Sequence, residues 1–381
     1  MVSATKSIRD FLRLVLVGRI WFLSLVFLPS IAFAVDYPFP DAASKFPPLP
    51  STAVGPTIPT SPGWIVTKVK PTVSNVFYVT DGNYQAMFII TPNGVVLVDA
   101  PDPLPFFPPM PVLDAIKSVT SLPVTHLIYS HAHTDHIGGA GLIKQAFPNV
   151  VIVAQESTKR ILQDENDPRR PIPTHTFADH EVLTVGGEPV ELSYFGNTHV
   201  DGNSFIYLPK AKILMAVDIV APGWVPFKRM MVSTNVAGWA SGYDAILKFD
   251  FDVLVGGHLT RLGTREDVLI GKEYVEDIKR FIDQAYLDQN TFFSAVAAIN
   301  AAQGTGFAFQ TVAKWALFEG FYDFSIKECA DKLDAKWLGR LGGAETYDFS
   351  NCEAWFTARR LGTEHMSLRP SRSGEDRPDG K

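Results

Sequence analysis

The chain has 381 residues, of which 46% are hydrophobic, 19% charged and 12% aromatic; this is the composition of a globular protein with room for one large domain or two small ones. Its formal net charge is −6, and since Lys6, Arg9, Arg13 and Arg19 outweigh Asp10 in the first 34 residues, the rest stands at −9. An acidic body of that kind repels phosphate backbones, which excludes nucleic acid as the expected partner.

The first element is an export signal. A basic stretch ends at Arg19, an uncharged apolar run follows from Ile20 to Ala34, and Ala32-Phe33-Ala34 closes it with a small-x-small cleavage pattern. Residues 1–34 therefore read as a signal peptide, which predicts a periplasmic or secreted protein. The run of about 15 residues is short of the roughly 20 that span a bilayer, so an uncleaved N-terminal membrane anchor is the competing reading and no stable membrane insertion is expected after signal removal. No cysteine lies near the cleavage point to carry a lipid.

Residues 35–63, rich in Pro, Ser and Gly, predict an extended linker or an arm lying over the surface. From Trp64 the pattern changes to short β-branched and aromatic runs, WIVTKV, VSNVFYVT, YQAMFII and VVLVDA, punctuated by hairpin turns at Asp81-Gly82-Asn83 and Pro92-Asn93-Gly94. Helix and strand patterns alternate from about Val112: LDAIKSVT helical, THLIYS a strand, GGAGLIKQAF helical, VVIVA a strand. Strands return in EVLTVGGEPVELSYFGNTH, NSFIYLP and AKILMAVD, and a helix near 240–249 and a strand at 253–256 close the stretch. This alternation predicts a layered α/β domain over 64–264 with mixed sheets. Residues 265–365 are mainly helical, with DVLIGKEYVEDIKRFIDQAYLD apolar at three- and four-residue spacing, and 366–381 form a polar tail expected to be disordered. Trp239 and the aromatic stretch TVAKWALFEGFYDF read as core. Cys329 and Cys352 could pair in an oxidising compartment or remain buried thiols; sequence separation does not choose.

The chemistry concentrates in Ser130-His131-Ala132-His133-Thr134-Asp135-His136-Ile137-Gly138-Gly139, into which the strand HLIY delivers the chain. In extended backbone, residues i and i+2 share a face, so His131 and His133 can hold one metal while Asp135 and His136, on the following turn, point to a second. The two glycines are expected to let the chain turn tightly into the next helix. Imidazole and carboxylate ligands suit zinc, and also iron or manganese. His199 falls in a turn between strands, and Asp218 and His258 at strand ends, where the catalytic residues of α/β sheets gather. Each alone reads more simply as a structural residue or a turn former. His126, His175, His180 and His365 match no metal motif, and His126 reads as structural.

In order and context, Asp99 in VVLVDAP, the HAHTDH motif, His199 in FGNTHVDGNSFIYLP, Asp218 in KILMAVDIV and His258 in VLVGGH resemble the five motifs of the metallo-β-lactamase superfamily, over about residues 64–260. The resemblance implies a four-layer αβ/βα sandwich with the site at one edge of two sheets and a helical C-terminal extension that walls the substrate pocket. It implies that His131, His133 and His199 hold one metal, that Asp135, His136 and His258 hold another, that Asp218 bridges them and that Asp99 supports the ligand loop. It also implies a binuclear hydrolase of an ester-type bond in a small molecule: a lactone, thioester, sulfate ester, phosphodiester or amide. Two cations about 3.5–4 Å apart would lower the pKa of a shared water towards about 7, and Asp135 would orient that water and relay its proton. Asp218 stands where many true β-lactamases of this fold carry cysteine, which disfavours β-lactam cleavage. An iron-dependent sulfur dioxygenase and a non-catalytic metal-binding module are the other readings. For the substrate, Trp224 and Phe227 offer an apolar wall and Lys228 or Arg229 an anion contact, unless that segment is a solvated surface loop. The sequence leaves the substrate, the metal and the oligomeric state open.

Overall fold

In β3 (Gln85–Thr91) every residue but Ile90 is buried, with Met87 and Ile89 facing one way and Ala86 and Phe88 the other. A strand buried on both faces needs a layer on each side, and the whole fold follows from that requirement. The computed structural model describes residues 47–102 and 112–363. The expected signal peptide, the start of the 35–63 arm, His365 and the expected tail lie outside them. Among the described residues no helix is long and apolar enough to cross a membrane.

The first sheet runs in sequence order: β1 (Ile65–Lys68), β2 (Val76–Thr80), β3, β4 (Gly94–Val98), β5 (Val124–Ile128), β6 (Val151–Gln155) and β7 (His175–Phe177). β1 to β4 form an antiparallel meander, and β4 to β7 pair in parallel. The second sheet contains β8 (His180–Val185), β9 (Glu188–Tyr194), β10 (Ser204–Leu208), β11 (Ile213–Ala216) and β12 (Val253–Val255), ordered β12-β11-β10-β9-β8. Only β11 and β12 are parallel in it. One core fills the space between the sheets, with Met87, Ile89 and Val98 meeting Leu192, Ile206 and Met215.

The outer face of the first sheet is covered by α1 (Val112–Val119), α2 (Thr134–Ile137) and α3 (Ala140–Ala146), where Phe88, Leu97 and Tyr129 pack against Ile116, Ile137 and Ile143. A further helix, α4 (Glu156–Glu165), follows β6. The outer face of the second sheet is covered by α5 (Val236–Ile246), α6 (Arg265–Leu287), α8 (Lys314–Trp337) and α9 (Ala344–Leu361). There Phe205, Tyr207 and Leu214 meet Trp239, Tyr243, Ile278, Trp337 and Phe356. The result is the αβ/βα sandwich that the resemblance implies. The C-terminal helices share a core with the second sheet, and α7 (Gln289–Gln303) adds a small satellite cluster with α8.

Two expectations need correction. The stretch TVAKWALFEGFYDF is not uniformly core: Leu317, Phe321 and Tyr322 pack inward, but Trp315 is 88% exposed. Helix α4 was not anticipated, whereas α9 falls within the stretch expected to be mainly helical. The sequence of α9 breaks apolar spacing with Asp348 and Asn351, yet both are buried. Cys329 of α8 and Cys352 of α9 are disulfide-bonded. The arm residues 47–63 lie along the surface, where Thr52 Oγ1 donates to Arg340 O at 2.7 Å and Trp224 Nε1 donates to Ala53 O at 3.1 Å.

Candidate metal centre

Each motif residue sits just past the end of a strand, and the strand pairing brings those ends together. β4 and β5 run in parallel, so Asp99 and Ser130 emerge side by side, and the Ser130 N–H donates to Asp99 Oδ1 at 2.8 Å. Asp99 is fully buried, and burial pushes its carboxyl up to about 6. β11 and β12 are likewise parallel, placing Asp218 beside His258. Asp99 and Asp218 adopt φ of 61° and 63°, a left-handed backbone that non-glycine residues rarely take and that is retained where the surroundings fix it.

The side chains converge in two groups. His131, His133, His199 and Asp218 form one and Asp135, His136 and His258 the other, each with its donor atoms within 4.8 Å of one another. In the first, His199 Nε2 lies 3.2 Å from His133 Nδ1 and 3.2 Å from Asp218 Oδ2. In the second, His136 Nε2 lies 3.2 Å from His258 Nε2 and 3.5 Å from Asp135 Oδ2. Asp218 touches both: its Oδ2 is 3.5 Å from His131 Nε2 and 3.3 Å from His136 Nε2, and its Oδ1 is 2.9 Å from His258 Nε2. All seven residues expected to be ligands thus meet in one place.

Outer contacts fix the ring orientations. Ser130 Oγ is 3.0 Å from His131 Nδ1, and the Asn83 carbonyl 3.0 Å from His258 Nδ1, so each ring turns its Nε2 inward. Trp239 Nε1 donates to the Asp218 carbonyl at 2.8 Å. His131 Nε2 is buried without a hydrogen-bond partner, and Asp218 Oδ1, though only 2.9 Å from His258 Nε2, makes no hydrogen bond, although buried polar atoms are normally satisfied. Burial holds His131 well below the usual imidazole range and His133 at about 4, so both are neutral, the state in which imidazole binds a cation. Burial also opposes charge on His136 and Asp218. For His136 it is outweighed by Asp218, Asp135 and Asp99, which push it up to about 9. For Asp218 it is outweighed by His136, His258 and His199, which hold the carboxyl well below its usual range. The carboxylates that draw a proton to His136 would equally draw a metal ion, and unsatisfied inward donors of this kind fit one.

Glycines shape the centre through lack of room. Gly138 and Gly139 have ordinary φ of −64° and −87°, so the expected role in a tight turn is replaced by close packing. A Cβ on Gly138 would lie 2.4 Å from Asp102 Cβ, and one on Gly139 2.8 Å from the Pro101 carbonyl. Gly257 combines φ of 92° with a Cβ position 2.6 Å from Val217 Cγ1 and 3.2 Å from His136 Cε1. We predict that Gly257→Ala displaces His258 and His136 and lowers metal affinity about 10- to 100-fold, the usual cost of disturbing a ligand's support. Competitive titration with a chromogenic chelator measures this, and unchanged affinity would refute it.

A cavity of about 650 Å³ opens on the centre. His133, Asp135, Asp218 and His258 form its floor, and Tyr84, Trp224, Val225, Phe227, Met231 and Tyr347 much of its wall. Trp224 and Phe227 therefore stand where expected. Lys228 and Arg229 do not line the cavity, and Arg229 pairs with Glu353 at 2.6 Å. Tyr84 and Tyr347 were not anticipated, because one follows a hairpin turn and the other lies in a helix far downstream.

The wall includes an unusual turn, Lys228–Val232, in which Arg229, Met230, Met231 and Val232 all have φ between 55° and 59°. Left-handed backbone costs about 1–2 kcal/mol per residue, so the turn needs external support. Asn351 of α9 supplies it: its Oδ1 accepts from Met230 N at 2.9 Å and its Nδ2 donates to Pro226 O at 2.9 Å. Asn351 is steadied in turn by Tyr274, whose hydroxyl lies 3.3 Å away and donates to Asp348 Oδ1 at 2.6 Å. Burial, with Asp334 nearby, pushes Asp348 up to about 9. Because that value lies far above the unfolded value near 3.9, the stability this carboxyl contributes is complete below about pH 4 and is lost as pH rises towards 9. Asp348→Asn, which cannot ionise, should gain stability relative to the parent as pH rises from 5 to 9. Thermal melts at both pH values check this, and a constant difference in melting temperature would contradict it.

The geometry defines a sandwich with a His/Asp metal site between the ends of two sheets. Residues 79–258 match the family model described as the metallo-beta-lactamase superfamily, and this region belongs to that superfamily of metal-dependent hydrolases and related enzymes. It is 29% identical over 203 residues to the alpha subunit of 2,4-dinitroanisole O-demethylase from Nocardioides sp. (strain JS1661), covering 52% of this chain and 59% of that protein. That match takes in less than two thirds of the subunit's own length. It is 27% identical over 189 residues to a type 2 metallo-beta-lactamase of Elizabethkingia meningoseptica, covering 49% of this chain and 73% of the relative. Among solved structures, a metallo-beta-lactamase from Pontibacter korlensis aligns with a TM-score of 0.47 at 22% identity, over 55% of this chain and 97% of that one.

Proposed function

We propose that the protein is a binuclear zinc hydrolase that cleaves an ester-type bond in a small molecule. The observation that carries this reading is Asp218, whose two oxygens reach into both groups of donors at once. In it, His131, His133 and His199 hold one ion, Asp135, His136 and His258 the other, and Asp218 lies between. When bound, such a pair lowers the pKa of a shared water towards about 7 and polarises the oxygen of the scissile group. Asp99 holds the ligand loop in place through Ser130. Asp135, on the cavity floor with a partly exposed side chain, orients the attacking water, accepts its proton and passes it to the leaving group. No serine or cysteine nucleophile is required.

The donor chemistry supports zinc, because imidazole and carboxylate suit it, although iron and manganese accept the same set. A second reading, scission of an aryl methyl ether, is favoured by the aromatic cavity together with the 29% identity to a dinitroanisole demethylase subunit. Export from the cytoplasm belongs to the proposal too, and the Cys329–Cys352 disulfide supports an oxidising compartment.

The test is elemental analysis of the purified protein followed by a panel of lactones, aryl esters, sulfate esters, phosphodiesters, glutathione thioesters, dinitroanisole and a chromogenic β-lactam. Two zinc ions per chain and turnover of an ester-type substrate, abolished by chelation and restored by zinc, are expected. A single iron with oxygen consumption, or metal-loaded protein inert across the panel, would overturn the proposal.

A further inference from the structure

We propose, resting on the hydrolase reading above, that the substrate's group beyond the scissile bond is uncharged and apolar, most simply an aromatic ring. The cavity offers such a group a wall of Tyr84, Trp224, Phe227, Met231 and Tyr347, and among the described residues no lysine or arginine lines it. The one cationic side chain of the turn with an ion pair, Arg229, is engaged with Glu353. A carboxylate, sulfonate or phosphate carried beyond the reacting bond would lose its water and find no counter-charge among the described lining residues.

The aromatic side chains are prearranged to receive a ring. Trp224 Nε1 is committed to the Ala53 carbonyl, so the indole presents its apolar surface to the cavity. The Phe227 and Tyr347 rings meet edge to face, with centroids 5.2 Å apart at 60°. Gly342 and Gly343 lie against the Trp224 indole, where a Cβ would approach ring atoms to 2.9 and 3.1 Å. Met231 lies in the left-handed turn tied to Asn351, and Phe227 immediately precedes it. A wall fixed in advance by a distant helix binds without first paying to order its side chains, and aromatic pairing adds geometric selectivity.

The test compares 2-naphthyl acetate with its 6-sulfonate, which share one scissile bond and differ in remote charge. The zinc-loaded protein should prefer the neutral ester at least about 30-fold in kcat/KM, mainly through KM. Equal or better use of the sulfonate would overturn the inference. Calorimetric binding of 2-naphthol against 2-naphthol-6-sulfonate separates this result from the hydrolase reading, because it needs no turnover. If neither ester is cleaved but the neutral naphthol binds at least about 10-fold more tightly, the apolar pocket stands whatever the panel decides about the hydrolase reading. If the two naphthols bind alike, the pocket inference fails. Asn351→Leu provides a second check on the wall: KM for 2-naphthyl acetate should rise about 10-fold, while kcat/KM for methyl acetate, too small to reach Phe227, and the metal content stay within about twofold. Equal losses on both esters would show a general structural defect and remove Asn351 from the wall.

Discussion

His131→Ala or His133→Ala is expected to empty the centre and abolish hydrolysis. Both rings are held neutral by burial and contribute inward nitrogens to one group of donors. Losing an ion that these rings would hold under the proposed function would forfeit several kcal/mol of stabilisation of developing charge, about a thousand-fold or more in rate. The fold should survive, because the ligand loop is also tied by the Ser130–Asp99 hydrogen bond and by Arg170 Nη1 donating to the Ala132 carbonyl at 2.7 Å. Metal content by mass spectrometry, circular dichroism and turnover together check this. A folded double variant with parental activity would remove these histidines from the chemistry.

The second large effect is expected at Asp218. Its carboxylate contacts His131, His136, His199 and His258, so Asp218→Ala takes a residue that reaches both groups. Metal content should fall from two ions per chain to one or none, with loss of activity comparable to that of the histidine variants. Trp239 should stay in place, since it bonds to the backbone carbonyl of Asp218 rather than to its carboxylate. Asp218→Asn separates charge from shape: it retains the size of the side chain and should still weaken metal binding, because a neutral amide is a poorer ligand. Elemental analysis decides, and two ions retained in Asp218→Ala would rule out the bridging role.

The metal centre was legible in the sequence because each of its residues follows a recognisable apolar strand. HLIY, KILMAV and VLVGG announce where their strands end, and the ends of parallel neighbours meet. The spacing of His131 and His133 requires only extended backbone to bring them together. Gly138 and Gly139 were correctly noticed for the wrong reason, since lack of space around a missing Cβ leaves no mark on the sequence that differs from a turn. The pocket wall was legible in part. Trp224 and Phe227 sit close behind the Asp218 motif and invited attention. Tyr347 and Asn351 reach the wall only by long-range packing of α9 on the second sheet, whose sequence pattern is blurred by buried polar residues. Lys228 and Arg229 were suggested by proximity in sequence, but a left-handed turn redirects the chain between them and the cavity.

The turn at Lys228–Val232 and its anchor at Asn351 are separated by more than 100 residues of chain. During synthesis, every metal donor through His258 leaves the ribosome well before that anchor does. The donors of the centre thus all lie within the first 258 residues, whereas the brace of the cavity mouth comes from the last described helix.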